Sequence, residues 1–489
     1  MNQIKPIMFV GTGSDVGKSI VNAGFCRIFK QDGYHPAPFK AQNMSLNSFA
    51  TPEGYEIGRA QAVQAEACGI PCHTDMNPIL LKPTNDKSSQ VVLNGKPVGT
   101  QSAVDYFMGN NKQALFQEAC QAFERLNQKY SPVVMEGAGS ISELNLKDRD
   151  ITNMRMAIEA DAATYLISDI DRGGVFASVY GSIQLLDPQE RKQIKGILIN
   201  KFRGDIKLFE EGKKILEELT GVPVIGVLPY FRDIHIEEED SVSLESKFSH
   251  SVKGKINIAV IRLPRMANFT DFNVLEHDPR VHLFYTNNIK EIENADLIIL
   301  PGSKNTISDL IELHNNGISK AIVQAQKAGK TVIGICGGYQ MMGQIIEDPH
   351  GVEGPIKSVA GLGLLPVSTI LEEEKVTDQC RFKYKDYPEW CEGYEIHMGS
   401  TQYIDESKPL NILENGKADG YNLNEHCWGS YIHGILDNPV VVNELLKDLH
   451  TEENHEFDYK SFKEEQYDKL ADLIRQNVNM DLIYQHLKE

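Results

Sequence analysis

Short, continuous apolar runs alternate with amphipathic stretches along most of the chain. In the first half the runs are PIMFVG (6–11), SPVVMEG (131–137), ATYLISDID (163–171), GILIN (196–200) and PVIGVLPY (223–230). Between them, QALFQEACQAFERLNQ (113–128) and LFEEGKKILEELTG (208–221) carry apolar residues at helical spacing. Strands apolar on both faces, separated by amphipathic helices, predict a parallel sheet covered on its two sides. The pattern breaks at IHIEEEDSVSLESKFSHSVKGK (234–255), which is acidic, then Ser-rich, then basic, and reads as a linker. A second series follows: INIAVIRLP (256–264), VHLFYTN (281–287), ADLIILPG (295–302) and KTVIGIC (330–336), with shorter candidate strands at GLGLLPV and GSYIHGI. The chain closes on charged helical periodicity, clearest in DYKSFKEEQYDKLADLIRQ (458–476). The expectation is an α/β protein. Residues 1–233 form one parallel-sheet domain, 234–254 a linker, 255–445 a second α/β domain and 446–489 a helical tail.

Composition narrows the classes of partner. A formal net charge of −19 over 489 residues disfavours nucleic acid and anionic membrane surfaces. The segment MNQIKPIMFVGTG has no basic leader, so no signal peptide is expected. No apolar run approaches the roughly 18 residues of a membrane span. Eight cysteines without framework spacing suit a reducing cytoplasm. Cys68 and Cys72 in CGIPCH lack the second pair that a metal site would need.

Two glycine-rich corners carry the candidate chemistry. The first, GTGSDVGKS (11–19), follows a strand and opens a helical stretch. In that setting successive backbone N–H groups point at a phosphate. Gly13 and Gly17 permit close approach, and Asp15 lies in the same loop. Lys18 is placed to neutralise β/γ-phosphate charge and the Ser19 hydroxyl to ligate Mg²⁺. The usual first glycine of such loops falls on Thr12, with Gly11 one residue earlier. This shifted form resembles the loop of dethiobiotin synthetase and related ATP-dependent carboxylate-activating enzymes. Glu136, at a strand's C-terminal end, is the first choice for a metal carboxylate, with Asp15 and Asp171 behind it. Lys40 is a further phosphate contact, and Asn200 with Lys201 a base-recognition corner.

The second corner, GICGG (334–338), has the form of a nucleophile elbow with cysteine in the place of serine. A strained strand-to-helix turn exposes the side chain, and the following helix N-terminus stabilises a thiolate. Cys336 then needs a base. His433 in GSYIHGIL is the first candidate and His397 in YEIHMGS its rival. Gly302 in LPGSKNT and Gly337 in the elbow are candidates for oxyanion and glutamine binding. Cysteine, histidine and glycine turns together fit acyl transfer through a thioester.

Taken together, GICGGYQMMG (334–343) and the YIHG around His433 resemble a triad-type glutamine amidotransferase. In that family the cysteine attacks the glutamine side-chain amide and ammonia is released. Such enzymes commonly carry Glu two residues after the histidine, where this chain has Ile435. That departure is itself characteristic of the cobyrinic/cobyric acid synthase branch, and it leaves His433 without an obvious third partner. GTGSDVGKS, FKAQNMSLNS, DMNPILLKP, MEGAGSISELNL, SDIDRGGVFAS, INKFRGD, RLPRMANFTDF and LPGSKNTISDL extend the resemblance over nearly the whole chain, on the cobyric acid side of that branch.

The resemblance implies an ATP- and Mg²⁺-dependent ligase with glutamine as ammonia donor. It would amidate the b, d, e and g carboxylates of adenosylcobyrinic a,c-diamide, a small corrinoid, by way of an acyl phosphate. Asn43, Ser45, Asn47 and Asn77, polar residues in segments that read as loops, are corrinoid-contact candidates. PRMANFTDF (264–272) suggests an interface or substrate role. The residues leave other readings open: a nucleotide-driven switch fused to an inactive amidotransferase-like module, an amidase acting on another substrate such as a cell-wall precursor, or a cysteine hydrolase.

Overall fold

Strands buried on both faces need helices above and below, and each half of the chain meets that need separately. The computed structural model describes residues 3–85, 88–102, 106, 112–237, 244, 247–406, 408–449 and 457–489. It divides into one unit of residues 1–45, 57–237 and 461–489 and another of residues 46–56 and 238–460.

The first unit is built on a six-stranded parallel sheet. Its order is Val224–Pro229, Ile194–Phe202, Ala163–Asp169, Ile7–Gly11, Val133–Glu136, Ala37–Phe39. In the central register Phe9 lies opposite both Tyr165 and Glu136. The helix Lys18–Gln31 leaves the first strand through the glycine-rich loop and buries Phe25, Ile28 and Phe29 against the sheet. The rings of Phe9 and Phe25 are 4.6 Å apart.

The helical tail is part of this core. Leu470, Ala471 and Ile474 of the helix Tyr459–Asn477 are buried with Phe25 and Phe29. A Cβ on Gly24 would stand 2.2 Å from Ile474 Cδ1, so glycine there lets the two helices approach. Arg27 pairs with Asp468 at 2.7 Å and Glu464 at 2.8 Å. The N–H of Asn479 donates to the Ile225 carbonyl at 2.8 Å. The anticipated linker is shorter than its composition suggested. Up to residue 237 the chain packs on the first unit: His235 N–H donates to Gln466 at 3.1 Å, and Arg59 pairs with Glu237 at 2.6 Å. From Phe248 it packs on the second, where the Phe248 carbonyl accepts from Tyr285 N–H at 2.9 Å. Residues 238–243, 245 and 246 of that stretch lie outside the described residues.

The second unit has a six-stranded sheet in the order Val281–Thr286, Ile256–Ile261, Leu297–Leu300, Thr331–Ile335, Cys427–Ser430, Tyr421–Asn424, antiparallel only at the last pair. Beside it stands a sheet built on the long antiparallel strands Val367–Tyr384 and Trp390–Tyr403, the latter paired with Ile432–His433. Among the described residues no helix is long and apolar enough to cross a membrane.

Because the tail fills the first unit's core, Ile474→Ala should cost about 2–5 kcal/mol, the range for truncating a fully buried isoleucine. Thermal or urea unfolding of the full chain reads this. An unchanged transition would mean that the tail only decorates the surface.

Candidate active site

The C-terminal ends of the first unit's strands gather most of the residues expected at the phosphate loop. Lys18 Nζ donates to the carbonyls of Gly13 and Gly139 at 2.8 and 2.9 Å. Its pKa falls to about 8: burial lowers it most, Glu136 raises it and Lys40 lowers it further. Glu136 is the hub. Its Oε1 accepts from Ser19 Oγ at 2.7 Å and Lys40 Nζ at 2.8 Å, and its Oε2 from Gln64 at 2.8 Å. Burial alone would raise the Glu136 pKa, but the Lys40 charge and these hydrogen bonds hold it below the usual carboxylate value.

Gly17 has φ +96° and opens the helix, and a Cβ on it would stand 2.2 Å from Asn200 Nδ2. Asn200 is buried and donates to the Val16 carbonyl at 2.9 Å, so its side chain braces the loop. Lys201 reaches the Asp15 carbonyl and pairs with Asp169 at 3.0 Å. Asp171 is held by Arg203 at 2.5 Å, with the charges of Lys201 and Arg172 also acting on it.

The second corner is strained as expected. Cys336 sits at φ 50°, ψ −110° between the strand Thr331–Ile335 and the helix Gly337–Met342, a conformation costly for a residue with a side chain. A Cβ on Gly338 would lie 2.0 Å from the Leu300 carbonyl oxygen, so only glycine lets the elbow lie against the neighbouring strand. Cys336 Sγ lies 3.6 Å from the Ile396 carbonyl oxygen, and its sulfur is near enough to His433 to raise the imidazole's pKa. Gly302 is close by: a Cβ there would stand 3.5 Å from His433 Cε1. One on Gly337 would stand 2.8 Å from Ser303 N. His397 turns elsewhere, stacking on Tyr431 at 3.8 Å with its Nδ1 2.8 Å from the Gly399 carbonyl oxygen. A cavity of about 790 Å³ opens beside it, lined by Tyr339, Glu395, His397, Lys417, Asp419 and Tyr431 among others.

The partner that sequence reasoning could not assign to His433 is Asp271. His433 Nδ1 donates to Asp271 Oδ2 at 2.6 Å, and Gly434 N–H donates to Oδ1 at 3.1 Å. Both side chains are buried. Burial lowers the imidazole's pKa, but the Asp271 carboxylate and the Cys336 sulfur outweigh it and raise the value to about 10. Asp271 lies in the unexplained PRMANFTDF segment, past the C-terminal end of the strand Ile256–Ile261. That position, where open parallel sheets place functional groups, was the available signal.

Comparison with known proteins agrees with this division. The family described as "CobQ/CobB/MinD/ParA nucleotide binding domain" matches residues 7–243, and "CobB/CobQ-like glutamine amidotransferase domain" matches residues 257–441. A protein of Parabacteroides distasonis named cobyric acid synthase is 65% identical over 99% of both chains. The chain belongs to the cobyric acid synthase family. Proteins of the same name from Bacteroides fragilis, 61% identical over 99% of both chains, and Phocaeicola vulgatus, 59% identical over 99% of this chain and 98% of that one, are similar throughout.

Of the four corrinoid candidates in this cobyric acid synthase family chain, Asn43, Ser45 and Asn77 belong to the first unit and Asn47 to the second. Asn77 Nδ2 donates to the carbonyls of Lys40 and Ile79, and its Oδ1 accepts from Gly58 N–H. Asn43 Nδ2 donates to Gln61 at 3.0 Å.

The raised His433 pKa has a defined sign. The stability that the imidazolium contributes is complete below its ordinary value of 6.5 and is lost as pH rises through about 10. Asp271→Asn removes the raising charge, so the His433 pKa should fall towards or below 6.5 in an NMR titration. An unchanged value would mean that Asp271 does not carry the shift.

Proposed function

We propose that the chain amidates the b, d, e and g side-chain carboxylates of adenosylcobyrinic acid a,c-diamide, using ATP and the side-chain nitrogen of glutamine. The observation that carries the reading is one chain holding a cysteine–histidine–aspartate centre and a phosphate loop, alike over its full length to proteins named cobyric acid synthase.

In the second unit Cys336 is the nucleophile. Its sulfur attacks the glutamine amide carbon, and His433 passes a proton to the departing nitrogen, so that ammonia leaves and a thioester remains. Water then releases glutamate. Because Nδ1 is committed to Asp271, Nε2 is the nitrogen left to exchange a proton with the sulfur. Asp271 thereby does for His433 what a glutamate two residues later does in other triad amidotransferases. The backbone N–H groups at Gly302 and Gly337 receive the oxyanion.

In the first unit the loop amides from Gly13 to Gly17, together with Lys18 and Lys40, receive the nucleotide phosphates. Catalysis there is positioning and charge neutralisation. A carboxylate takes the γ-phosphoryl group, and ammonia displaces phosphate from the acyl phosphate. The donor set fits Mg²⁺: the Ser19 hydroxyl and Glu136 carboxylate are 2.7 Å apart and the carboxylate stays ionised. When bound, the ion would supply charge neutralisation across the β- and γ-phosphates. Asn200 acts on the loop's shape through Val16, and Asn43, Ser45 and Asn77 are the corrinoid contacts. The net charge of −19 and the small-molecule acceptor suit a cytoplasmic enzyme without nucleic acid or membrane partners.

The test follows the corrinoid by mass with ATP and glutamine present. Four successive decreases, each that of replacing a carboxyl hydroxyl by an amino group, are expected. Cys336→Ala should lose glutamine-driven amidation by about three orders of magnitude while ammonium salts still support it; Lys18→Ala should lose both. ATP turnover with no corrinoid mass change under any nitrogen donor would overturn the reading in favour of a nucleotide-driven switch.

A further inference from the structure

A stretch from the first half of the sequence, residues 46–56, packs within the second unit and reaches the surroundings of all three groups at the Cys336 centre. Asn47 Oδ1 accepts from Phe269 N–H at 3.1 Å, and Asn268 Oδ1 accepts from Ser48 N–H at 2.9 Å. These reciprocal bonds clamp the turn that carries Asp271. Asn268 is left-handed at φ 53°, and its carbonyl accepts from Asp271 N–H at 3.1 Å. The backbone of Asp271 is therefore tied to a clamped residue.

The same stretch supports the other two groups. The Ser48 carbonyl accepts from Tyr394 Oη at 3.3 Å, and the Phe49 ring lies 4.5 Å from the Tyr394 ring, which in turn stacks on His433 at 5.2 Å. Ala50 packs with Tyr394 and Ile396, and the Ile396 carbonyl faces Cys336 Sγ. Buried Glu56 fixes the stretch by accepting from Ser48 Oγ at 2.7 Å and pairing with Lys375, while Gln379 donates to the Ala50 carbonyl at 2.9 Å.

We propose that Asn47 is a positioning residue for glutamine hydrolysis, holding the Asp271 turn so that the carboxylate stays on His433. This rests on the roles given above to Cys336, His433 and Asp271. Asn47 is 1% exposed, and its carboxamide oxygen is engaged inside the second unit. Removing that oxygen strands the Phe269 N–H in a buried site, and the turn must move to find water or another acceptor. A carboxylate displaced by a fraction of an ångström no longer fixes the imidazole.

The test measures glutamine hydrolysis by the full chain without corrinoid, where a substrate-contact role for Asn47 would not register. Asn47→Ala should lower kcat by roughly ten- to a hundredfold with the KM for glutamine little changed. The alkaline limb of its pH profile should move to lower pH, as the imidazolium loses its partner. In an Asp271→Asn background the same substitution should change kcat by less than about twofold, because the route of action is already cut. Asn268→Gly, which keeps the left-handed backbone and removes the other clamp, should behave alike and serves if Asn47→Ala does not fold. Full activity in both clamp variants, or an equal loss with and without Asp271, overturns the proposal. If Cys336→Ala still hydrolysed glutamine, the underlying assignment would fail instead.

Discussion

An imidazole buried beside a thiol is a weak base unless something stabilises its charge, and the second unit is organised around supplying that charge. Asp271 meets His433 at 2.6 Å and also takes the N–H of Gly434, so one carboxylate fixes both the ring and the backbone beside it. With the position two residues beyond the histidine occupied by a buried isoleucine, Ile435, the carboxylate is drawn from another strand's end. A turn begun by a left-handed asparagine brings it there. The elbow, the Gly302 loop and the stacked Tyr394 then have a fixed imidazole to be arranged about.

The first unit solves a related problem with opposite charge. Glu136 is buried at the end of an interior strand, where an unpaired carboxylate would be costly. Lys40, Ser19 and Gln64 each give it a hydrogen bond. Those partners come from the strand end after Phe39, from the loop helix and from the helix Arg59–Cys68. A ligand arriving at the loop therefore meets a carboxylate already ionised and a lysine, Lys18, whose charge burial has made easier to lose.

Much of this was readable in the sequence because it is local. Strand, glycine loop and helix in succession revealed the phosphate loop, and a cysteine between glycines after an apolar run revealed the elbow. The parallel strands are apolar on both faces and stand out for that reason. What escaped is what only folding brings together. Asp271 and His433 are 162 residues apart, and no period links them. The strand Val367–Tyr384 alternates buried and exposed positions and carries EEEK at a register shift, so no continuous apolar run marks it. The tail's periodicity is plain, but nothing in it says that Ile474 is buried against Gly24 of a helix at the other end of the chain. Asn47 belongs to a residue type that favours turns and ligand loops, yet its oxygen is spent on the backbone of Phe269.

The account stands on Asp271 as the third member of the cysteine–histidine centre. The most direct measurement is the rate of glutamine hydrolysis by Asp271→Asn, alongside its thermal unfolding. A loss of about two to four orders of magnitude in kcat is expected where a triad carboxylate is made neutral, with the fold retained. A rate within a few-fold of the parent in a folded protein would contradict the account and return His433 to the position it held in the sequence, a base without a partner.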